Sequence, residues 1–220
     1  MHGIIESVNL KDQIYEIIRD MILRRDINPG EKIVEDDLSK QIGVSRTPLR
    51  EALSRLENEG IVKIIPRRGA FVSELSKTTI MEVLQIREVL EGLVTRLAAE
   101  NMTKKILGQL KASLDYIKDT PDEPEHLIKF THADEKFHSI LLTASKNQML
   151  QNFMSNINMH LQFIRIRTVV IPNRAKKTVN EHYMILDAIE QKNIEKAEEL
   201  MRQHITSVRD YAIQHIDSMK

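Results

Sequence analysis

Gly43-Val44-Ser45-Arg46-Thr47-Pro48-Leu49-Arg50-Glu51-Ala52-Leu53 decides the reading of the front of this chain. Gly43 reads as the stop of one helix, because a left-handed backbone there is cheap only for glycine. Ser45 suits the N-cap of a second helix, and Pro48 falls in its first turn, where proline is tolerated. That helix runs to about Gly60, and Leu49, Ala52, Leu53 and Leu56 form its buried stripe. Arg46, Arg50 and Ser54, spaced by four, share the opposite face, with Thr47 and Glu51 beside them. A helix divided in this way docks its apolar side on a small domain. Its N-terminal half then offers guanidinium groups to guanine edges and phosphates.

Working outward, residues 35–42 make a short helix around Leu38 and Ile42, preceded by a break at Asn28-Pro29-Gly30. Residues 10–25 place Leu10, Ile14, Ile17, Ile18, Met21 and Ile22 on one helical face. Downstream, Ile61-Val62-Lys63-Ile64-Ile65 is β-branched, Pro66-Arg67-Arg68-Gly69 is a turn, and Ala70-Phe71-Val72-Ser73 can return as a second strand. Two helices joined at Gly43-Val44 and followed by a hairpin make the pattern of a winged helix-turn-helix. Arg67 and Arg68 stand at the wing tip, where Gly69 lets the backbone approach a minor groove or a phosphate.

Charge is local rather than global. Lys+Arg and Asp+Glu are 32 each over 220 residues, so the whole chain is neutral. Residues 44–69 hold six basic and three acidic side chains, a net of +3, within a first 75 residues that carry 12 basic and 13 acidic. A positive patch on one face is what a DNA reader needs.

These residues resemble a family. Val44 to Leu53, then Leu56-Glu57 and Glu59-Gly60, then Pro66-Arg67-Arg68-Gly69, look like the N-terminal domain of GntR-family bacterial transcription regulators over residues 10–73. The resemblance implies that Arg46 and Arg50 contact operator bases or phosphates, with Ser45 and Thr47 on the DNA backbone and Gly69 in the wing. The chain departs from the family's best-known acyl-CoA-responsive member at Asp36, where that member carries a DNA-contacting arginine.

The rest of the chain reads as helical, with stretches at roughly 77–101, 103–118, 124–145, 147–170, 174–191 and 193–217. Hydrophobic residues make up 41%, enough for a core, with only 7 Gly and 6 Pro. The expected class is therefore mainly α: a winged helix-turn-helix at 1–73, a linker at 74–77, and an antiparallel bundle of about six helices at 78–220. The absence of Cys excludes disulfides, thiolate metal sites and a Cys nucleophile, and it fits a reducing cytoplasm. The N-terminus lacks the apolar stretch of a signal peptide, and no run approaches membrane-spanning length.

Polar groups inside the bundle are the second signal. In the stretch 124–145 the apolar face runs Leu127, Phe130, Asp134, Phe137, His138, Leu141. His182 lies with Ile185, Leu186 and Ile189, and His204 with Ala197, Leu200, Met201 and Val208. A carboxylate and three imidazoles converging from three helices would satisfy one another around a divalent cation. Taken singly, an inward histidine is more often a hydrogen-bonded core residue than a ligand; four inward groups of the right chemistry from separate helices favour the metal. His2, His126, His132, His160 and His215 lack the combination and read as surface or structural. Imidazole-rich ligation suits Zn first, then Ni, Cu or Fe, and the carboxylate also admits Mn. Arg87, four residues before Glu91, and Arg165, beside Leu161 and Ile164, each have two readings: a structural ion pair, or a clamp on a ligand carboxylate. The 10 Met read as core filler.

Here too there is a resemblance. Arg87-x-x-Leu90-Glu91, Asp134-x-x-Phe137-His138, Glu181-His182 and Met201-x-x-His204-Ile205 look like the FCD effector domain of the FadR-type GntR subfamily over most of 77–217, and six helices point to its VanR-like branch. The resemblance implies that Asp134, His138, His182 and His204 bind a metal whose coordination a small carboxylic acid can complete. The expected function is a homodimeric, metabolite-responsive regulator, most often a repressor, on a near-palindromic DNA operator. Two rivals stand beside it: a metal-dependent enzyme, to which Glu135-x-x-His138 lends half of a di-iron motif, and a regulator whose metal is purely structural.

Overall fold

A computed structural model describes residues 10–24, 26–74, 76–121, 123–171 and 173–215. His2 lies outside them. The chain divides into two compact units, Met1–Glu74 and Leu75–Lys220.

The first unit runs α1 (Leu10–Leu23), β1 (Lys32–Ile33), α2 (Glu35–Ile42), α3 (Arg46–Asn58), β2 (Val62–Ile65) and β3 (Gly69–Val72). Leu49, Ala52, Leu53 and Leu56 of α3 are all buried. They pack with Ile14, Ile18 and Ile22 of α1 and with Val62, Ala70 and Val72 of the wing as the unit's apolar interior. Each such Leu or Ile removed from water is worth about 1.5–3 kcal/mol.

The broad α1 stripe expected from sequence narrows in the structure. Leu10 and Ile17 are 51% and 43% exposed, while Tyr15 and Arg19 are buried in their place. The apolar side of α1 is thus rotated towards Ile14, Ile18 and Ile22, and the Tyr15 hydroxyl donates to Glu59. Gly43 adopts φ 77°, ψ 34°, the left-handed stop that the turn requires. Ser45 occupies the N-cap of α3 with extended backbone, but its side chain makes no capping hydrogen bond.

The wing is a three-stranded antiparallel sheet in the order β1-β3-β2, with Val62 opposite Val72 and Ile65 opposite Gly69. The hairpin reading missed β1, because a two-residue strand carries no alternation to detect. It pairs Lys32 with Phe71 and Ile33 with Ala70. Gly69 sits at φ +100°, and a Cβ there would lie 3.3 Å from Lys32 Cε.

The second unit comprises α4 (Lys77–Glu100), α5 (Lys104–Asp115), a 3-10 turn at Pro124–His126, α6 (Leu127–Ala144), α7 (Gln148–Val169), α8 (Arg174–Glu190) and α9 (Ile194–Gln214). Side chains start four of these helices by accepting backbone N–H bonds: Ser76 from Thr79, Thr103 from Ile106, Asn147 from Leu150 and Asn193 from Lys196. The expected helix at 124–145 begins later, at Leu127, because His126 (φ −107°, ψ −6°) does not yet continue a regular helix. Leu84, Val94, Phe137, Leu141, Ile185, Met201 and Ile205 lie in one core. The methionines divide: Met154 and Met201 fill that core, whereas Met149 and Met184 are mostly exposed. No helix among the described residues is long and apolar enough to cross a membrane.

Candidate functional site

In the first unit, Arg46 and Arg50 project from α3 with side chains 61% and 65% exposed. Each meets an acid from the first turn of α2: Arg46 Nη2 lies 2.6 Å from Asp36 Oδ1, and Arg50 Nε donates to Glu35 Oε2 at 2.6 Å. Ser45, Thr47, Arg67 and Arg68 are exposed as well, and Gly69 is half-buried. Arg67 takes φ 63° at the tip of the wing, which turns the chain between the two strands.

In the second unit, helical phase brings the inward polar groups together. Asp134 and His138 come from α6, His182 from α8 and His204 from α9. Each offers one ligand atom, and these four atoms lie within 4.8 Å of one another. His182 Nε2 stands 3.3 Å from His204 Nε2 and 3.6 Å from Asp134 Oδ1; His138 Nε2 stands 3.7 Å from the same Oδ1. Ligands about 2.1 Å from a tetrahedral ion would be about 3.4 Å apart. The residues fit such an ion in a second way. His138 Nε2 is buried and has no hydrogen-bond partner among the described residues, so its lone pair or proton is otherwise unsatisfied.

The protonation states suit ligation. Burial, then the neighbouring His204, holds the His182 imidazole well below its usual pKa. Burial brings His204 down to about 4, against the opposing hydrogen bond to Glu181. Burial would raise the Asp134 carboxyl, but the Arg165 guanidinium, then His138 and His182, hold it well below the usual range. Near neutral pH the site therefore presents a carboxylate and neutral imidazoles at His182 and His204, which is what a cation requires.

Around these four residues stand Arg87 and Glu91, whose pairing the sequence offered, and groups that it did not bring to the site. His204 Nδ1 meets Glu181 Oε2 at 2.7 Å, and Glu181 is held by the buried Arg174 at 3.0 Å. His138 Nδ1 lies 3.0 Å from Glu91 Oε1, and Arg87 Nε donates to that oxygen at 3.2 Å. Phe137 stacks on His182 with ring centroids 4.2 Å apart and planes 11° from parallel. The signal for Arg174 was available: a cation in the first turn of a helix opposes the macrodipole, so it needs a partner. Burial pulls Glu181 and Glu91 upward. The hydrogen bond and charge of His204 with Arg174 bring Glu181 to about 2, and His138 with Arg87 brings Glu91 to about 2.

A cavity opens beside the cluster. Its lining includes Arg87, Arg165, Arg174, Asp134 and His182, with Thr131, Thr168 and Thr178 among apolar walls. Both arginines form ion pairs, and both line the cavity. Arg87 pairs with Glu91 and Arg165 with Asp134, yet Arg87 Nη2 and Arg165 Nη1 are buried and unbonded among the described residues. Glu135, the half of a di-iron motif, instead accepts from Gln162 Nε2 at 2.6 Å. His126 is half-buried, and its ligand atom lies within 4.8 Å of those of Glu123 and Glu125, two exposed acids.

Two family models match the chain. That of the bacterial regulatory proteins of the gntR family covers residues 10–72, and that of the FCD domain covers residues 82–207. The HTH-type transcriptional regulator YdhC of Bacillus subtilis is 29% identical over 93% of this chain and 89% of its own length. The HTH-type transcriptional repressor RspR of Escherichia coli is 27% identical over 91% of this chain and 88% of its own. Among solved structures, McbR/YncC of E. coli superposes with a TM-score of 0.67 at 22% identity, covering 96% of this chain and 97% of that one. YdhC and RspR are transcription regulators rather than enzymes, which leaves the enzyme rival without support. A winged helix-turn-helix front and an FCD domain behind it make this chain a DNA-binding transcription regulator of the GntR family.

Proposed function

We propose that this regulator is a metal-centred sensor of a small carboxylate and represses its target genes in the absence of that effector. One observation carries the reading. Four candidate ligand atoms within 4.8 Å of one another adjoin a cavity that Arg87 and Arg165 line, and each arginine has a buried nitrogen without a partner. Asp134, His138, His182 and His204 would hold the ion, Zn before Ni, Fe, Cu or Mn given three imidazoles. An ion bound there would supply a positive charge with open coordination positions for a carboxylate oxygen. Arg87 and Arg165 would orient the rest of the acid by charge-assisted hydrogen bonds. The effector acts on operator affinity to the extent that it binds the DNA-bound and free states unequally.

On the DNA side, Arg46 and Arg50 would read bases or phosphates, with Ser45, Thr47, Arg67, Arg68 and the backbone at Gly69 positioning the protein on the duplex. The exposure of all four arginines supports this. The protein would work in the cytoplasm, where its operator is.

Two half-sites call for two copies. On α4, Ile86, Val89 and Leu93 are 51%, 54% and 39% exposed on one helical face, which supports a homodimer built there. Sedimentation of Ile86→Glu/Val89→Glu should show monomers where the parent shows dimers. A monomeric parent would remove this part of the proposal.

The sensor reading is tested by titrating zinc-loaded protein on operator DNA with short mono- and dicarboxylates. At least one acid should weaken binding in the parent and fail to do so in Arg165→Met. Operator affinity indifferent to every acid, beside zinc-dependent thermal stability, would favour the purely structural metal.

A further inference from the structure

The three imidazoles are not held in the same way. His182 is held by the face of Phe137, with ring centroids 4.2 Å apart. His204 is held through its far nitrogen: Nδ1 lies 2.7 Å from Glu181 Oε2. A carboxylate can only accept, so Nδ1 must carry the proton, and Nε2 of a neutral ring is left as a lone pair. That nitrogen points to the shared space, 3.3 Å from His182 Nε2.

Glu181 is itself braced. Arg174, only 2% exposed, reaches one of its oxygens at 3.0 Å and the other at 3.4 Å, and also donates to the Ser207 hydroxyl at 3.1 Å. Each oxygen of the carboxylate thus has a fixed contact, which leaves it little freedom to swing from the ring. Glu181 directly precedes His182 on α8, while the imidazole it meets belongs to α9. One turn of α8 thereby supplies a candidate ligand and the support of the next. His138 differs again: its Nδ1 lies 3.0 Å from Glu91 Oε1 without a hydrogen bond among the described residues, and Arg87 Nε donates to that oxygen.

We infer that Glu181, clamped by Arg174, is a positioning residue that fixes the tautomer and ring angle of His204 so that Nε2 faces the metal. This rests on the metal centre proposed above. Outer carboxylates of this kind typically change metal affinity 10–100-fold without touching the ion.

The full-length chain loaded with Co(II) gives two readouts: affinity by chelator competition, and the visible ligand-field bands, which report coordination geometry. Glu181→Ala should bind Co(II) 10–100-fold more weakly, with shifted bands. Glu181→Gln keeps an oxygen able to accept from Nδ1, so it should recover part of the affinity and most of the parent spectrum. A purely structural role would not move the bands of the ion that remains bound. If Glu181→Ala fails to fold, Glu181→Gln alone decides, by a several-fold loss with a smaller band shift. Parental affinity and spectrum in the folded variants would overturn this inference and leave the metal centre standing. A parent that takes no Co(II) would overturn both.

Discussion

Arg46 Nη2 stands 2.6 Å from Asp36 Oδ1, so the acid that occupies the departing position on α2 pairs with an arginine at the start of α3. Both side chains are more than half exposed, so the pair is weak and water can replace either partner. Exposed pairs are worth about 0.2–1 kcal/mol, or up to about fivefold in affinity. The carboxylate would also face DNA phosphates. Asp36→Asn should therefore bind DNA up to about fivefold more tightly, with a salt dependence steeper by about one phosphate contact. Fluorescence anisotropy at several salt concentrations measures both. Unchanged affinity with an unchanged salt slope would separate Arg46 from the DNA.

Arg50 and Arg67 should differ in kind. Arg50, on the exposed face of α3, would read base edges under the proposal, so Arg50→Ala should lose about 1–3 kcal/mol on operator and less on unrelated DNA. Arg67, at the wing tip, would meet phosphates, so Arg67→Ala should weaken both alike. A competition assay against non-operator DNA checks this, and equal losses for both variants on both DNAs would contradict the assignment.

Helical periodicity carries far in this chain because two faces with opposite needs are written at spacings of three and four. Leu49, Ala52, Leu53 and Leu56 alternate with Arg46 and Arg50, and the structure buries the first set and exposes the second. The same periodicity placed Asp134, His138, His182 and His204 on inward faces, and folding brings them together. What it could not reveal is pairing between helices. Glu91 and Glu181 are ordinary acids in a helical pattern until α4 meets α6 and α8 meets α9. The partnership of Arg174 with Glu181 spans two turns of one helix, beyond the single-turn spacing that pattern reading tests. β1 is too short to show an alternation, and the narrow stripe of α1 depended on which side met α3.

Acid should destabilise the metal-free protein early. His204 falls from an ordinary 6.5 to about 4 on folding, so below pH 6.5 the unfolded chain binds a proton that the folded chain refuses. Stability is lost as pH falls from 6.5 to 4; at pH 5 the loss from this group is about 2 kcal/mol, or a Tm lower by about 4–8 °C than at pH 7. His182 acts in the same direction. Glu91 and Glu181, each near 2 in the folded chain, extend the loss from about pH 4.5 downwards. Thermal unfolding of chelator-treated protein between pH 7 and 4 follows this, and His204→Phe should flatten the upper part of the curve. A Tm constant down to pH 5 would mean that these imidazoles are not buried as neutral rings.

The central claim is that Asp134, His138, His182 and His204 share one ion. The direct measurement is metal content by elemental analysis after zinc loading and desalting, on the parent and on His182→Ala, with folding checked by circular dichroism. The account predicts one tightly held zinc per parent chain and a loss of most of it in the folded variant. No retained metal in the parent, or equal content in both proteins, would contradict it.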